Sequence, residues 1–433
     1  MTEPAAEPDE SIWKNGAFVR LWAAASVSYV GSFVTRTALP LTAILVLGAG
    51  PLQISAIRSL EFVGWLVVGL VAGAWVDRLR RRPIMIAADL GRAVLLGSIP
   101  ITAALAVLGM PQLIVVAFLA AILSAFFNTS SVAYLPTLVG RTRLIAANSA
   151  LSASASAAEF TGFALSGFLV QLLSAPIAIA LDAISFLASA GVLATIRRPE
   201  PPRPAIEDRE PVLHEIREGI RVVAASPVLR AVAAAHAGTH ILWGVFGTTY
   251  LLFATHEIGL GPAAIGIVAA LGGLGSLAGA AVAARVARRF GIGRAMLLGL
   301  AGMTIGSALI PIAPGGAVLL GAAFLVGQQL IGDSGATVYD ILETSLTQSI
   351  VDGRILGRVN ATVETVTTLT ALAGAVGGGI VAELFGLRAS MAVGVLGGAT
   401  AIAFVWFSPI RSMRTVPATT APSFGPDDLP LTE

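Results

Sequence analysis

The chain has 433 residues, of which 56% are hydrophobic and only 12% are charged. A soluble globular protein of this size needs more polar surface, so the composition places the chain in a lipid bilayer. The formal net charge of +2 argues against a nucleic-acid partner. The absence of cysteine excludes disulfide bonds, thiolate metal ligands and a cysteine nucleophile.

In chain order, a tail comes first and apolar segments follow. Residues 1–17 are acidic, contain proline and lack the basic region of a signal peptide, so they are predicted to form a short N-terminal tail. Later segments such as VAFLAAILSAFF lack the period-two alternation of a transmembrane β-barrel. The sequence therefore predicts an all-α membrane protein. Twelve helices are expected, over residues 18–46, 53–76, 83–108, 112–136, 145–173, 177–196, 229–253, 261–284, 294–312, 316–341, 357–384 and 388–408.

Basic residues cluster in alternate connections between these helices. If the N-terminus is inside, both tails and the even-numbered connections contain basic residues, whereas the opposite connections contain only Arg388. The positive-inside rule then predicts a multi-pass protein of a bacterial-type inner (plasma) membrane with both termini in the cytoplasm. Arg36, Arg58 and Arg92 fall inside predicted helices and need separate explanations.

The longest connection divides the chain. Residues 197–228 begin with the proline-rich, charged stretch RRPEPPRPAIEDREP and continue as LHEIREGIRVVAAS, an amphipathic helix expected along the inner membrane surface. A six-helix bundle, residues 18–196, precedes this linker, and a second, residues 229–408, follows it. Residues 409–433 are predicted to form a cytoplasmic C-terminal tail.

An internal repeat supports this division into two pseudo-symmetric halves. Three small or polar residues recur at a constant offset of 212 residues: Asn148, Gly162 and Gly167 return as Asn360, Gly374 and Gly379. Single matches arise by chance among the small residues of membrane helices, but three matches at one offset favour duplication.

Charge is concentrated in the stretch GAWVDRLRRRP, between the second and third helices. The positive-inside rule explains its arginines as anchors of an inner loop, but it does not call for an acid. Together with the two six-helix halves, the stretch resembles the signature of the major facilitator superfamily. The residues that carry the resemblance are Gly73, Asp77, Arg78, Arg81 and Arg82. The segments FVRLWAAASVSYVGS, ADLGRA, LDAISFL and REGIRVV are similar to the branch that contains enterobactin exporters and macrolide efflux proteins.

The resemblance implies two six-helix bundles around a central cavity, alternating access and a gate at the inner loop. In the family, the acid of the signature caps or pairs with a neighbouring helix end, and its arginines pair with carboxylates of the other half. Asp89 and Arg92 match the ADLGRA pattern and are expected to brace this gate. The antiporter signature on helix five is degenerate, because residues 162–167 read GFALSG and lack its proline and one glycine.

Polar residues form stripes on helices one, four, seven and ten, at spacings that place each set on one helix face. A polar face is costly against lipid, so these residues are predicted to face inward. The resemblance implies that these four helices line the central cavity, so the residues are expected to line a substrate cavity. They are Tyr29, Ser32, Arg36, Ser124, Asn128, His236, His240, Trp243 and Gln329. For any single serine, a hydrogen bond between helices is an alternative. The two histidines are spaced like metal ligands, but they lack further ligands, so neither a metal nor a cofactor is predicted.

Charges inside the predicted helices suggest proton coupling. Arg36, Glu61 and Glu159 are expected at one depth, roughly 21–24 Å from the inner face at about 1.5 Å per residue. One arginine and two carboxylates leave one acid to bind a proton. Alternatively, Arg58 pairs with Glu61 at i and i+3 in a purely structural network. A second candidate coupling pair is formed by Asp333 and Glu364.

Catalytic patterns are missing from the sequence. It contains neither a phosphate-binding Gly-x-x-x-x-Gly-Lys-Ser/Thr motif nor a serine-centred nucleophile elbow, so no enzyme is predicted. With the resemblance, the sequence predicts a monomeric secondary active transporter that exports an amphipathic small molecule, such as a drug, siderophore or secondary metabolite, by proton antiport. The alternatives are a proton-coupled importer of a small organic solute and a non-transporting receptor or scaffold on the same fold.

Overall fold

The computed structural model describes residues 11–76, 79–198, 212–353 and 355–415. Within these ranges the regular structure is helical, as the all-α prediction requires. Thirteen α-helices occur there: α1 Gly16–Leu47, α2 Pro51–Val76, α3 Arg81–Ala104, α4 Met110–Val139, α5 Leu144–Leu172, α6 Ala175–Ala194, α7 Val212–Ala225, α8 Pro227–Leu252, α9 Pro262–Phe290, α10 Ile292–Ile312, α11 Val318–Ile350, α12 Leu356–Phe385 and α13 Leu387–Trp406.

Eleven of the described helices are long and apolar enough to cross a membrane. Two further segments pass the same test only when they are taken together. They are the end of α7, Arg217–Ala225, and α8 with the π-helical turn that follows it, Pro227–Ile258, and the angle between them is 107°. If this bent pair counts as one span, the described helices provide up to twelve spans. Each of the twelve predicted segments corresponds to one of these helices, although α3 ends at Ala104, four residues before the predicted end at residue 108. The predicted end of the tenth segment at residue 341 is wrong, because α11 continues to Ile350. Its last turns are polar, so hydropathy falls before the helix ends.

The described residues divide into two compact units. Residues 11–48 and 63–198 form the first unit, whereas residues 49–62 and 212–415 form the second. In the first unit, α1 and α3 pack on α6, α5 packs on α1, and α4 packs on α3. The first part of α2 groups with the second unit. There α8 packs on α12 and α13, while α11 packs on α9 and α10.

The sequence repeat has a counterpart in the helix bounds. Shifting α6 by 212 residues reproduces the bounds of α13, and shifting α5 reproduces those of α12 to within one residue. Two of the repeated glycines also make equivalent contacts. A Cβ atom at Gly162 would overlap Phe33 of α1, and one at Gly374 would overlap the backbone of Ile241 in α8. Glycine recurs there because both helix pairs approach too closely for any side chain.

The amphipathic helix α7 packs on protein in the second unit. Gly219 lies against the backbone of Arg358 in α12, where a Cβ atom would overlap it, and Glu218 pairs with the same arginine. Val223 is buried in a hydrophobic cluster with Leu229 and Val359. Residues of α12 and α8 cover the apolar face of α7 at Val223, and the expectation that this helix lies along the inner membrane surface stays a prediction.

The predicted gate lies only partly within the described residues. Gly73 belongs to α2, whereas Asp77 and Arg78 lie outside the described ranges, so the proposed clasp stays a prediction. Arg82 donates from Nε to the carbonyl oxygen of Leu193 over 2.9 Å and also contacts the carbonyl of Ala194. Arg82 thus satisfies carbonyl groups at the C-terminal end of α6, where a cation is also favoured by the helix dipole.

Candidate functional site

Charged side chains inside the membrane helices form a buried cluster in the first unit, which we call the Arg92 cluster. Arg92 and Asp89 are an ion pair one turn apart on α3, with exposed fractions of 3% and 0%. The Arg92 guanidinium lies 4.0 Å from the ring centroid of Phe186 and 4.7 Å from that of Phe127. Its Nη1 donates to Ser124 Oγ over 3.3 Å. One guanidinium therefore joins α3 to α4 and α6.

Asp182 of α6 completes the Arg92 cluster, which consists of Asp89, Arg92 and Asp182 with the groups that contact them. Its carboxylate accepts hydrogen bonds from Thr35 on α1 and, over 2.9 Å, from Ser185 Oγ. A Cβ atom at Gly31 would overlap this carboxylate, so glycine lets α1 approach it. The cluster links four helices and suits a framework brace. The expectation that Asp89 and Arg92 brace the inner gate stays a prediction.

A second cluster, in the second unit, centres on His236 and Glu343. His236 Nε2 lies 3.4 Å from Glu343 Oε2, and the exposed fractions of these side chains are 17% and 11%. The other carboxylate oxygen, Oε1, accepts from Thr347 Oγ1 over 2.8 Å. His236 is on α8 and Glu343 is on α11, two helices that pack mainly on different neighbours. A side-chain contact therefore bridges them.

Three further titratable side chains surround this pair. The ring of His240 stacks on that of His236 at a centroid distance of 5.6 Å, and the Tyr339 ring lies 6.0 Å away. Asp340 lies within electrostatic range of both His236 and Glu343. We call these five residues the His236 cluster. Two imidazoles, two carboxylates and a phenol can hold, exchange and release a proton.

Sequence reasoning found both histidines but missed their acidic partners. The predicted tenth helix ended at residue 341, so Glu343 fell outside it, and Asp340 was not singled out. A signal was nevertheless present, because Tyr339, Glu343 and Thr347 follow at i, i+4 and i+8 and share one helix face. Asp182 was also missed, although it lies in the LDAISFL segment.

The histidines are not arranged as a two-nitrogen metal pair. Their rings stack, and His240 Nδ1 lies 2.9 Å from the His236 backbone oxygen, so the two rings use different partners. Within the described ranges, no group of three or more His, Asp or Glu side chains is placed to hold a metal ion.

The other predicted cavity residues have diverse surroundings. Gln329 Nε2 donates to the carbonyl oxygen of Ala269 over 3.1 Å and so joins α11 to α9. Ser124 serves the Arg92 cluster. Both contacts are of the helix-joining kind that was the alternative to a cavity role. The remaining members are half-buried or exposed: Tyr29, Ser32 and Asn128 are half-buried, and Arg36 and Trp243 are exposed.

The three predicted coupling residues of the first candidate set are divided between the two units, and their joint role stays a prediction. Glu61 pairs with Arg58 across 2.9 Å, and Arg58 Nε donates to the Gly247 carbonyl over 3.1 Å, as in the structural alternative. Glu61 belongs to the second unit, whereas Arg36 and Glu159 belong to the first and are exposed within it. A shared depth along the sequence does not determine which face of its helix each residue occupies.

The second predicted coupling pair is likewise spread over different surroundings. Asp333 on α11 is half-buried, and its Oδ1 accepts a hydrogen bond of 3.4 Å from Gln328 Nε2. Glu364 on α12 is exposed. The coupling role of this pair stays a prediction.

Comparisons with known proteins agree on the family. The model of the family described as Major Facilitator Superfamily matches residues 21–346, more than half of the chain. The uncharacterized MFS-type transporter YfiS of Bacillus subtilis (strain 168) is 24% identical over 385 residues, covering 86% of this chain and 88% of that protein.

Solved structures of transporters share the fold. A mutant of the nucleoside transporter NupG has a TM-score of 0.72 at 12% identity, covering 90% of this chain and 98% of that one. A bacterial homologue of the iron transporter ferroportin has a TM-score of 0.70 at 19% identity, with coverages of 92% and 100%. A bacterial homologue of the lysosomal transporter Spinster has a TM-score of 0.70 at 14% identity, with coverages of 90% and 96%. At these identities the likeness concerns the fold alone.

Proposed function

The chain belongs to the major facilitator superfamily, and from this premise we propose that it is a secondary active transporter that exports an amphipathic small molecule in exchange for protons. The observation that carries the coupling proposal is the contact of His236 with Glu343 between two membrane helices. Ionisable residues in such helices are costly and usually mark substrate or proton pathways.

The pair has the chemistry that a coupling site needs. Histidine is the residue type whose charge commonly changes near neutral pH, and a neighbouring carboxylate can accept or return the proton. The contact of His236 with Glu343 at 3.4 Å joins α8 to α11, so a proton that changes the charge of either partner changes the attraction between the helices. Alternating access would then follow from making and breaking this contact.

The surroundings favour a substrate with both aromatic and polar parts. The stacked imidazoles of His236 and His240 present a flat surface, and Trp243 on the same helix is 40% exposed. Flat rings of this kind bind planar apolar groups, while the carboxylates of Asp340 and Glu343 can bind polar or cationic ones. We therefore narrow the predicted substrate class from amphipathic molecules in general to those that carry an aromatic group.

The export direction rests on the resemblance of the sequence to enterobactin and macrolide exporters. The nucleoside and iron transporters among the structural neighbours share only the fold, so their substrates do not identify the substrate of this chain. An importer of a small organic solute is the second candidate, and vesicle orientation separates the two directions.

The test is a panel of amphipathic compounds in inverted membrane vesicles, with and without an imposed pH gradient. We expect gradient-dependent accumulation of at least one compound by the parent protein. Glu343→Gln keeps the side-chain size but removes the charge, and it should reduce uphill accumulation by about tenfold or more while exchange down a gradient persists. Glu383→Gln is the matched control, because Glu383 is an exposed carboxylate of α12 in the same unit.

Three outcomes would contradict parts of the proposal. Accumulation only in right-side-out vesicles would replace export by import. Full uphill transport by Glu343→Gln would remove the His236 cluster as the coupling site. No gradient-dependent movement of any compound in either orientation would favour a receptor or scaffold.

A further inference from the structure

A cavity of about 510 Å³ opens in the first unit, where α1 begins and where the chain enters α5 and leaves α6. Its volume lies within the roughly 300–1,000 Å³ typical of small-molecule sites. We call it the basic cavity. Its polar lining consists of Lys14, Asn15, Arg20, Arg143, Arg197 and Arg198.

The basic cavity brings five cations together. Its described lining contains no carboxylate, and the ion pairs identified among the described residues do not include any of these five side chains. Cations that converge on one cavity repel one another, and an anion between them turns this repulsion into attraction. The site therefore favours a negatively charged ligand.

The positive-inside rule does not by itself require this arrangement. Arg288 and Arg289 satisfy the rule as exposed side chains at the end of α9. In the basic cavity, by contrast, the cations come from three segments that are far apart in sequence: the start of α1, the turn before α5 and the residues after α6. The positive-inside rule does not require cations from distant segments to line one cavity, whereas a binding site for an anion does.

The α1 terminus contributes little of the attraction on its own. Asn15 already caps it, because its Oδ1 accepts from the backbone N–H groups of Ala17 and Phe18. Asn15 Nδ2 in turn donates to the Leu138 carbonyl over 2.7 Å, which fixes the rim of the cavity to α4. The anion attraction therefore comes from the five side-chain cations.

The position of the cavity points to the source of the anion. It lies at the ends of three helices that are long and apolar enough to cross a membrane, and such helix ends are expected at the level of the lipid headgroups. Beside Lys14, Trp13 is 50% exposed and packs edge-on against Trp22 at 5.0 Å, as aromatic residues do at membrane interfaces. Phosphate groups are natural partners of clustered arginines at this level.

We propose that the basic cavity binds the phosphate group of an anionic phospholipid headgroup, with Trp13 against the adjoining lipid. The basic cavity is defined by side chains of the first unit alone and does not depend on the proposed transport activity. A failure of the transport proposal therefore leaves this site untouched, and the reverse also holds.

The test uses the purified full chain in neutral detergent, titrated with phosphatidylglycerol or, for comparison, phosphatidylcholine. Thermal unfolding of the protein reports binding. We expect phosphatidylglycerol, but not phosphatidylcholine, to raise the unfolding temperature. In Arg143→Gln/Arg197→Gln, the phosphatidylglycerol concentration at the midpoint should rise about tenfold or more, because two cations near the phosphate are lost.

Two control variants separate binding from misfolding and from bulk charge. Arg143→Lys/Arg197→Lys keeps both charges and should retain most of the lipid effect. Arg288→Gln/Arg289→Gln removes the same charge from the second unit, outside the cavity, and should respond like the parent. Parent-like binding by Arg143→Gln/Arg197→Gln, or equal losses in both Gln variants, would overturn the proposal.

A further arm distinguishes lipid from a free anion. Inorganic phosphate and glycerol 3-phosphate carry the same phosphate chemistry without acyl chains. If either stabilises the parent as strongly as phosphatidylglycerol at equal concentration, the lipid assignment is overturned in favour of a soluble phosphate ligand. If only the lipid acts, the headgroup assignment is supported.

Discussion

The Arg92 cluster and the His236 cluster both place carboxylates inside apolar helices, yet they are built differently. Asp89 and Arg92 are almost fully buried, and the arginine is held by an ion pair, a serine and two aromatic rings. His236 and Glu343 keep 17% and 11% of their side-chain surface and are joined by one contact at 3.4 Å.

This difference separates framework charges from charges that can act in transport. A guanidinium stays charged at any relevant pH, and one buried against a carboxylate, a hydroxyl and two aromatic rings, as Arg92 is, has little access to water for proton exchange. An imidazole beside a partly exposed carboxylate can change its charge and lose its partner at modest cost. The number of partners and the access to solvent therefore tell more about a membrane charge than its presence does.

The largest expected effect is on the Arg92 cluster. Arg92→Gln would leave Asp89 and Asp182 without their cation, and breaking a buried pair in this way costs about 3–5 kcal/mol of folding free energy. We expect a large loss of monodisperse protein and a lower unfolding temperature. Size-exclusion chromatography and thermal unfolding of the purified protein measure both.

Arg285→Gln is the matched control, because Arg285 is exposed on α9. It should behave like the parent. If Arg92→Gln also unfolds at the parent temperature, the Arg92 cluster is not a framework element, and the contrast with the His236 cluster disappears.

The next largest effect is expected at His236. His236→Gln removes the imidazole that contacts Glu343, so uphill transport should fall about tenfold or more. It should also lose its pH dependence over the range of about pH 5 to 8 in which histidine side chains commonly titrate. His240, Tyr339, Asp340 and Glu343 face this position and remain in the variant. Initial rates of uphill transport in vesicles, measured across that pH range at matched expression, provide the test.

Thr347→Val offers a graded comparison at the same site. It removes only the hydrogen bond to Glu343 Oε1, which is worth about 1 kcal/mol, so transport should be weakened while its pH dependence persists. A pH profile of His236→Gln that matches the parent would show that another group supplies the proton.

The sequence predicted the helices well because a run of about 20 apolar residues has few alternatives to a membrane span. It predicted contacts less well, because hydropathy does not determine which face a residue occupies. Arg36 and Arg58 were both candidates for Glu61 by sequence, and the pair of Glu61 with Arg58 is seen only in the three-dimensional structure. Glu343 was missed because the polar end of α11 resembles a loop by hydropathy.

A smaller effect is expected at Glu61. Its pair with Arg58 is partly exposed, at 27% and 14% of the two side chains, and Arg58 keeps its bond to the Gly247 carbonyl when the acid is lost. Glu61→Gln should therefore cost about 1–2 kcal/mol of stability, less than Arg92→Gln. Thermal unfolding measures this cost. A loss of stability as large as that of Arg92→Gln would mean that partial exposure to solvent does not reduce the cost of breaking an ion pair.

Glu159→Gln tests the coupling role predicted from sequence. Glu159 is exposed within the first unit, so its substitution should leave stability near that of the parent. If Glu159 is the proton carrier, uphill transport collapses in this variant while exchange persists. If it transports uphill like the parent and Glu343→Gln does not, coupling belongs to the second unit.

The smallest effect is expected at the ion pair of Arg388 and Glu257. The two side chains lie 2.7 Å apart, closer than His236 and Glu343, but they are 39% and 30% exposed. Arg388 also donates to the Pro311 carbonyl over 2.8 Å and lies 5.1 Å from the Phe253 ring centroid, so it stays anchored without the acid.

The exposure of this pair, rather than its short contact distance, should determine how much it contributes to the free energy of unfolding. An exposed ion pair contributes at most about 1 kcal/mol, and salt screens it further. Glu257→Gln should therefore lower the unfolding temperature only slightly, and the difference from the parent should shrink as salt is raised. Transport should be unchanged, since the pair lies in neither cluster. If Glu257→Gln instead destabilised the protein as much as Arg92→Gln, contact distance rather than burial would determine how much each charged pair contributes to stability. Burial would then no longer separate framework charges from charges that can act in transport.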